Sequence, residues 1–397
     1  MSDATAYVLL EDGARFDGLA CAADTPAVGE VVFTTSMSGY QEAMTDPSYA
    51  AQLIAFTYPQ IGNYGVSDQA MESDRIHARA AIMRAAIDRD DAPRAQQGWL
   101  SWLRAHGVPA ITDLDTRALV RHLRERGAML GGVFPARIAE TEARELIAAE
   151  PPMSGRDLAR ELGPPAPVVA GVGPGNGFGA AVAAGVTTEP VGDPLQIALI
   201  DTGVKRSIIR NLMQRGAQVT LYPCTVGAQE LLGTDADAVF LANGPGDPAA
   251  LDYLVATVRE LVGKRPVYGI CLGHQVLCQA IGLETYKLPF GHHGANHPVK
   301  DLATGRTEIT SQNHGFAVLG PGGARTIEGD QPVRWQTDFG EAQLSHINLY
   351  DRTVEGLTLL DVHGATVQYH PEAGPGPHDA LHLFDRFIDE IRDRRSR

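Results

Sequence analysis

Residues 266–275, PVYGICLGHQ, place a cysteine between two glycines at the end of a short apolar run. The pattern predicts a buried strand that ends in a Gly-x-Cys-x-Gly turn and continues into a helix, which is a nucleophile elbow with sulfur in place of oxygen. We expect Gly269 and Gly273 where a Cβ would collide with the neighbouring strand or helix. The helix dipole and free backbone N–H groups at its N-terminus favour thiolate over thiol. Cys271 is therefore a candidate nucleophile.

A base for this cysteine is offered by residues 367–372, VQYHPE. Pro371 biases His370 toward an extended conformation, and residues i and i+2 of an extended chain point to the same side. The His370 imidazole and the Glu372 carboxylate can therefore face one site. A carboxylate on one ring nitrogen fixes the tautomer and leaves the other nitrogen to serve the thiol. Cys271, His370 and Glu372 are thus predicted to form a catalytic triad.

A third element is the Gly/Pro turn LANGPGDP at residues 241–248, which follows an apolar strand and precedes a helix. Such loops expose backbone N–H groups at the carboxyl edge of a parallel sheet. We expect the N–H groups of Gly244 and Leu272 to hold the oxyanion of a tetrahedral intermediate. The three elements together predict acyl transfer through a thioester.

Other residues that could do chemistry favour simpler interpretations. Cys278 returns to the helix face of the nucleophile after seven residues and is expected to pack rather than react. His292, His293 and His297 lack the spacing that would converge their rings, so no metal site is predicted. The glycine-rich region 171–179 is not framed by a strand and a helix, so a dinucleotide site is not expected. The sequence has no Gly-x-x-x-x-Gly-Lys-Ser/Thr loop for ATP.

Composition narrows the class of protein. A chain of 397 residues is long enough for two domains with separate cores. The net charge of −15 argues against nucleic acid as the principal ligand. Four cysteines are too sparse for a disulfide framework, which favours a reducing compartment. Neither a signal peptide nor a membrane span is indicated, so a cytoplasmic protein that binds no membrane is expected.

The chain is predicted to divide at a region dense in Gly, Pro and small residues, 163–194. The first domain, 1–162, has apolar β-like runs at 6–10, 30–35 and 52–57 and helical patterns at 78–88, 97–105 and 116–126. Asp113 or Asp115 is expected to cap the last of these helices.

The second domain, 195–397, alternates strands and helices. Strands are predicted at 196–200, 218–222, 238–242 and 267–270, and helices at 205–215 and 250–262. A strand-rich stretch follows at 307–368, and a closing helix runs from 378 to about 392. Near-continuous apolar strands that alternate with helices indicate an α/β domain with a mostly parallel central sheet, flanked by helices on both faces.

The motifs GICLGHQ, NGPGDP and YHPE resemble the class I (triad) glutamine amidotransferase family. Further motifs are similar to the small-chain family of carbamoyl-phosphate synthetase: SGYQE at 38–42, TDPSY at 45–49, DTR at 115–117, FGHHGANHP at 290–298, QNHGF at 312–316 and EAGPGPHD at 372–379. The resemblance covers essentially the whole chain. It implies a mixed α/β small-chain domain followed by a class I glutaminase domain.

The resemblance also implies a role in a heterodimer. This chain would hydrolyse glutamine without a cofactor and pass ammonia to a large chain that uses ATP and Mg. There, bicarbonate, ammonia and two ATP would yield carbamoyl phosphate for arginine and pyrimidine biosynthesis. The residues that the resemblance implies for glutamine binding are Ser48 from the first domain and, from the second, Gly244, Gly246, Leu272, Gln275, Asn313, Gly315 and Phe316.

Two alternatives remain open on the residues alone. The first is a different triad amidotransferase that feeds ammonia to another synthase, which a Ser48-bearing N-terminal domain disfavours. The second is a non-catalytic interaction subunit, which the intact set of Cys271, His370 and Glu372 disfavours.

Overall fold

A computed structural model describes residues 4–171 and 193–396 of the chain. They form two compact units. The first unit comprises residues 4–156, Pro289–Ala295 and Gly374–Gly376. The second comprises the described residues of Asp157–Leu288, Asn296–Ala373 and Pro377–Arg397. Most of the predicted linker 163–194, and of the glycine-rich region 171–179, lies outside the described residues.

The first unit is built on a closed barrel. Its strands are β1 Ala4–Leu10, β2 Arg15–Ala20, β3 Ala27–Thr34, β4 Gln52–Phe56, β5 Ala80–Ile82, β6 Ala110–Thr112 and β7 Met129–Pro135. The order around the barrel is β1-β2-β6-β5-β4-β3-β7. The run β3-β4-β5-β6 is parallel and the other neighbours are antiparallel. Val8, Val31, Leu53 and Ile111 are fully buried in one apolar cluster of this unit.

The helices of the first unit are α1 Tyr40–Thr45, α2 Trp99–Ala105, α3 Thr116–Arg126 and α4 Glu140–Ala149. The bounds predicted for α3 are confirmed. Asp115, and not Asp113, caps α3, because its side chain accepts a hydrogen bond from the Ala118 N–H at 3.0 Å.

The helix predicted at 78–88 is wrong, because β5 occupies part of that segment. Its alanine-rich sequence favours a helix locally. However, β5 pairs with β4 on one side and with β6 on the other, and Ala80–Ile82 are fully buried. Pairing within the barrel therefore overrides the local propensity.

The second unit contains a large mixed sheet. Its strands are β8 Val168–Val169, β9 Leu195–Asp201, β10 Ala217–Pro223, β11 Ala238–Leu241, β12 Val267–Ile270, β13 Thr285–Asp301, β14 Thr307–Val318, β15 Arg334–Thr337, β16 Gly340–Asn348, β17 Val354–Leu359 and β18 Gly364–Val367. The order is β14-β13-β16-β17-β18-β12-β11-β9-β10-β8, and β15 pairs with β16. The centre, from β18 to β10, is parallel, as predicted.

Helices cover both faces of this sheet. They are α5 Arg206–Gln214, α6 Ala228–Leu232, α7 Asp252–Leu261, α8 Leu272–Ala280 and α9 His382–Arg395. Ile197 and Leu199 of β9 pack in one cluster with α5 and α9, whereas Ala198 and Ile200 pack in another with α6, α7 and α8. This alternation along β9 confirms the prediction that helices flank both faces of the central sheet. Each helix within residues 4–171 and 193–396 is too short or too polar to span a membrane.

The parallel centre of the sheet brings distant segments to one edge. Strands β9, β11, β12 and β18 run in the same direction, so the residues that follow them emerge at a common carboxyl edge. Residues 202–205 follow β9, residues 242–247 follow β11, Cys271 follows β12, and residues 368–372 follow β18. The predicted triad and the Gly/Pro turn therefore meet at this edge.

Candidate active site

Cys271 lies between β12 and α8 with backbone angles φ 55° and ψ −106°. Positive φ is rare for a residue with a side chain, and it costs free energy that the surrounding structure must offset. The Cys271 N–H donates to the Val367 carbonyl oxygen at 2.9 Å, which ties the turn to β18. The side chain is 2% exposed. This strained turn at the end of a central strand is the predicted nucleophile elbow.

The two glycines of the elbow are required by close packing. A Cβ at Gly269 would lie 2.8 Å from the Gly273 carbonyl carbon, and a Cβ at Gly273 would lie 2.3 Å from the Leu241 carbonyl oxygen. Both distances are shorter than real Cβ contacts allow. The prediction that a side chain would collide with the helix or the neighbouring strand is confirmed.

His370 and Glu372 form a buried pair just beyond β18. His370 Nδ1 lies 2.6 Å from Glu372 Oε1, and the His370 N–H donates to the Ser311 carbonyl oxygen at 2.9 Å. Because the carboxylate occupies Nδ1, the other ring nitrogen is left for the thiol. Nε2 is buried and has no hydrogen-bond partner at standard geometry among the described residues.

Lys205 is a member of this site that the sequence analysis missed. Its Nζ donates to the same oxygen, Glu372 Oε1, at 3.0 Å, and the residue is only 1% exposed. Its backbone N–H donates to the Asn243 side-chain oxygen at 3.0 Å, which joins the ends of β9 and β11. A lysine at the N-terminus of α5 opposes the helix dipole. That mismatch, at the first residue of the helix predicted at 205–215, was the one signal in the sequence.

The charges of this cluster set its protonation states. Burial raises the pKa of Glu372, but Lys205 and His370 outweigh burial and lower the pKa to about 2. Burial lowers the pKa of His370, but Glu372 and Cys271 outweigh burial and raise the pKa to about 10. At neutral pH Glu372 is therefore an anion and His370 a cation. A cationic imidazole can return a proton to a leaving group.

We expect Lys205→Met to lower the free energy of unfolding by about 3 kcal/mol, since removing one partner of a buried ion pair leaves the other charge poorly compensated. Lys300→Met is the matched control. The Lys300–Asp330 pair has a similar length, 2.9 Å, but both side chains are partly exposed, and exposed pairs contribute only about 0–1 kcal/mol. Urea denaturation measures both variants, and equal small effects would contradict the structural role of Lys205.

The loss of unfolding free energy in Lys205→Met should also depend on pH. The pKa of Glu372 is lowered from 4.5 to about 2 on folding. Its ionised form therefore contributes stability above pH 4.5 and loses it as the pH falls toward 2. We expect the destabilisation caused by Lys205→Met to shrink over that range, since a neutral Glu372 no longer needs the ammonium group. A pH-independent difference between wild type and variant would argue against this pairing.

The Gly/Pro turn after β11 is fixed beside the elbow. The Thr202 hydroxyl donates to the Asn243 carbonyl oxygen at 2.9 Å. A Cβ at Gly244 would lie 2.2 Å from the Thr202 carbonyl oxygen and 3.0 Å from Leu272 Cδ2. Gly246 has φ 96°, which favours glycine. Gly244 and Leu272, the two predicted oxyanion donors, are therefore neighbours.

Strand β14 contacts both the nucleophile and the base. Cys271 Sγ lies 3.6 Å from the Asn313 carbonyl oxygen, and Ser311 binds the backbone of His370 as described above. Among the described residues, no atom lies within 4 Å of a Cβ built at Gly315, so the space beside this residue is open. The Gln275 side-chain N–H₂ donates to the Phe316 carbonyl oxygen at 2.9 Å. Asn313 thus contacts Cys271, and Phe316 is bonded to Gln275, which lies one turn along α8 from the nucleophile. Gly315 lies between Asn313 and Phe316 on β14.

Ser48 belongs to the first unit. It lies in the 3-10 turn Pro47–Tyr49, where its N–H donates to Asp46 Oδ1 at 2.9 Å. Ser48 is mostly buried. Its part in glutamine binding stays a prediction.

Comparison with known proteins gives matches over both units. The family described as carbamoyl-phosphate synthase small chain, CPSase domain, matches residues 8–133. The family glutamine amidotransferase class-I matches residues 198–390. The second match contains the elbow, the Gly/Pro turn and the His370–Glu372 pair.

Relatives match at full length. The carbamoyl phosphate synthase small chain of Syntrophotalea carbinolica is 42% identical over 394 residues, covering 98% of this chain and 98% of that protein. The protein of the same name from Thermosynechococcus vestitus is 42% identical, covering 98% and 96%. That from Thioalkalivibrio sulfidiphilus is 42% identical, covering 99% and 98%. This chain therefore belongs to the carbamoyl phosphate synthase small-chain family, with a class I glutamine amidotransferase domain in its second half.

Proposed function

We propose that this chain hydrolyses glutamine and delivers the ammonia to a large synthetase chain, which makes carbamoyl phosphate from bicarbonate and ATP. Membership of the small-chain family supports the assignment. The observation that carries it is the convergence of the Cys271 elbow and the 2.6 Å His370–Glu372 pair at one sheet edge. The product would serve arginine and pyrimidine biosynthesis, as is standard for this family.

In the first half of the reaction the Cys271 thiolate attacks the carboxamide carbon of glutamine. A C–S bond forms, and the carbonyl π electrons move to the oxygen, which the N–H groups of Gly244 and Leu272 stabilise. The oxyanion then collapses and the C–N bond breaks. His370 gives its proton to the departing nitrogen, so ammonia leaves and a glutamyl thioester remains.

In the second half His370 is neutral and acts as a base. It takes a proton from water while the water oxygen attacks the thioester carbon, and the oxyanion is held by the same two N–H groups. Collapse breaks the C–S bond, releases glutamate and restores the thiolate beside a protonated His370. Glu372 keeps the imidazole oriented throughout, and Lys205 keeps Glu372 ionised.

Glutamine has a charged α-carboxylate and α-ammonium group that need polar partners, while its carboxamide must reach the thiol. The contact of Cys271 Sγ with Asn313 and the open space beside Gly315, two residues further along β14, support a position for the substrate along this strand. We assign the contacts to Ser48, Gly244, Gly246, Leu272, Gln275, Asn313, Gly315 and Phe316.

The proposed reaction needs only side chains, backbone N–H groups and water, so we assign no cofactor or metal to this chain. ATP and Mg belong to the proposed large chain. We place the pair in the cytoplasm as a heterodimer, and the acidity of this chain supports neither nucleic acid nor an anionic membrane surface as a partner.

A free glutaminase would waste glutamine, so we expect the isolated chain to be a poor enzyme. Glutamine turnover should rise on addition of the large chain, and rise again when that chain is loaded with ATP and bicarbonate, if partner binding favours a productive geometry. Steady-state ammonia release from the chain alone, from the complex, and from the loaded complex measures this. Identical rates per Cys271 in the three samples would leave a stand-alone glutaminase and contradict the coupling.

A further inference from the structure

A buried carboxylate behind the active site has no part in the reaction described above. Glu355 of β17 is 0% exposed. Its Oε2 accepts a hydrogen bond from the Gln312 side-chain N–H₂ at 3.0 Å, and its Oε1 accepts one from the Asn348 N–H₂ at 2.9 Å. A buried carboxyl group needs hydrogen bonds to offset the loss of water, and these two bonds hold the amide groups of Gln312 and Asn348 in place.

The Gln312 side-chain N–H₂ donates to Glu355 and also to the Thr310 hydroxyl at 3.2 Å, and these two bonds orient the Gln312 amide. Since its nitrogen faces the carboxylate, its oxygen faces His314, whose Nε2 lies 2.9 Å away. The other ring nitrogen of His314 lies 2.7 Å from the Phe316 carbonyl oxygen. Gln312 and His314 are two residues apart on β14, so both project from the same face of that strand. Both neighbours are acceptors, so a neutral imidazole donates to one of the two oxygens and only contacts the other; the ring lies between them along the strand.

The chain of hydrogen bonds continues to the nucleophile helix. The Phe316 carbonyl oxygen also accepts from Gln275 Nε2 of α8 at 2.9 Å, and the same nitrogen donates to Gln368 Oε1 at 3.1 Å. This series of hydrogen bonds thus runs from β17 through β14 to α8 and to the segment that precedes His370. It lies along the part of β14 that carries Asn313.

We propose that Glu355 is a positioning residue that, through Gln312 and His314, sets the register of residues 313–316 for glutamine binding. The inference rests on the proposed function, in which Asn313, Gly315 and Phe316 contact the substrate. The triad has its own supports, namely the Glu372–Lys205 bond and the Cys271 N–H bond to β18. Loss of Glu355 therefore affects substrate binding more than the reactivity of the thiol.

Substitution by glutamine is the sharpest change, because it keeps the size of the side chain. A glutamine at 355 can accept a hydrogen bond from only one of the two facing N–H₂ groups and presents its own N–H₂ to the other. We expect Glu355→Gln to raise KM for glutamine at least about tenfold while kcat stays within about threefold, the pattern of lost ground-state and transition-state binding. Gln312→Ala should raise KM for glutamine in the same way, because it removes the side chain that joins Glu355 to His314.

Glu308→Gln is the matched control. Glu308 is also a buried carboxyl group, but it lies on β14 and its Oε1 is 2.6 Å from Nε2 of His382 on α9. We expect KM for glutamine to be unchanged in this variant. The double variant Glu355→Gln/Gln312→Ala should raise KM no more than the larger single change, since both substitutions interrupt the same series of hydrogen bonds.

The experiment uses the complex with the large chain and measures glutamine hydrolysis, together with the rate at which iodoacetamide alkylates Cys271 without glutamine. A raised KM with an unchanged alkylation rate supports the inference. A KM within twofold of wild type in Glu355→Gln, or a fall in kcat alone, overturns it. Absence of glutamine hydrolysis in the wild-type complex would instead reject the proposed function. If Glu355→Gln does not fold, Gln312→Ala decides by the same criteria.

Discussion

Cys271→Ser is expected to abolish glutamine-dependent carbamoyl phosphate synthesis by the complex while synthesis from free ammonia continues. The hydroxyl keeps the shape of the elbow but does not ionise near neutral pH, so the thioester cannot form. We expect glutamine hydrolysis to fall on the order of 10⁴-fold or more, as for the loss of a triad nucleophile. Free ammonia bypasses the thioester, and the substitution leaves the proposed ATP sites of the large chain unchanged. Carbamoyl phosphate formed with each nitrogen donor is the measurement.

Cys224→Ser is the control for this substitution. Cys224 is also buried in the second unit, and its sulfur lies 3.5 Å from the Tyr253 hydroxyl, a partner that serine can keep. We expect this variant to retain both activities. Equal loss of the glutamine-dependent and ammonia-dependent reactions in Cys271→Ser would mean that Cys271 is structural.

The second large effect is expected at His370. His370→Asn removes the group that moves protons in both halves of the reaction, and we expect kcat to fall about 10³-fold or more. Glu372→Gln should cause a smaller loss, because a glutamine oxygen can still accept from His370 and Lys205 although the negative charge is gone. Glutamate release at saturating glutamine measures both.

Another His–Glu pair of this unit, His382 and Glu308, provides the control. His382 Nε2 lies 2.6 Å from Glu308 Oε1, the same separation as in the triad, but His382 is more exposed. His382→Asn should leave kcat unchanged. Because triad members act as a unit, the double variant Cys271→Ser/His370→Asn should lose little more than either single variant. Additive losses would contradict a shared mechanism.

The parts of the site that could be predicted are those encoded by short, local patterns. Two glycines around Cys271 reveal the elbow because a Cβ at either position meets backbone within one turn or on the next strand. His370 and Glu372 are two residues apart in extended chain, so their contact follows from the period of the backbone. The alternating strands and helices of the second unit likewise predicted its parallel centre.

The parts that could not be predicted depend on partners far apart in sequence. Lys205 meets Glu372 across 167 residues, and Glu355 meets Gln312 only because β14 and β17 belong to one sheet. The predicted helix at 78–88 was wrong for the same reason, since pairing of β5 with β4 and β6 outweighs alanine content. Local sequence patterns do not identify partners that are so far apart along the chain.

The most direct test of the central claim is to trap the thioester. The wild-type complex is mixed with glutamine, quenched in acid within one turnover and digested, and the peptide that contains Cys271 is analysed by mass spectrometry. A mass increase of one glutamyl group on Cys271, absent in Cys271→Ser and lost after hydroxylamine treatment, is the predicted result. Glutamate formation at the full rate with no label on Cys271 under any quench time would contradict the account.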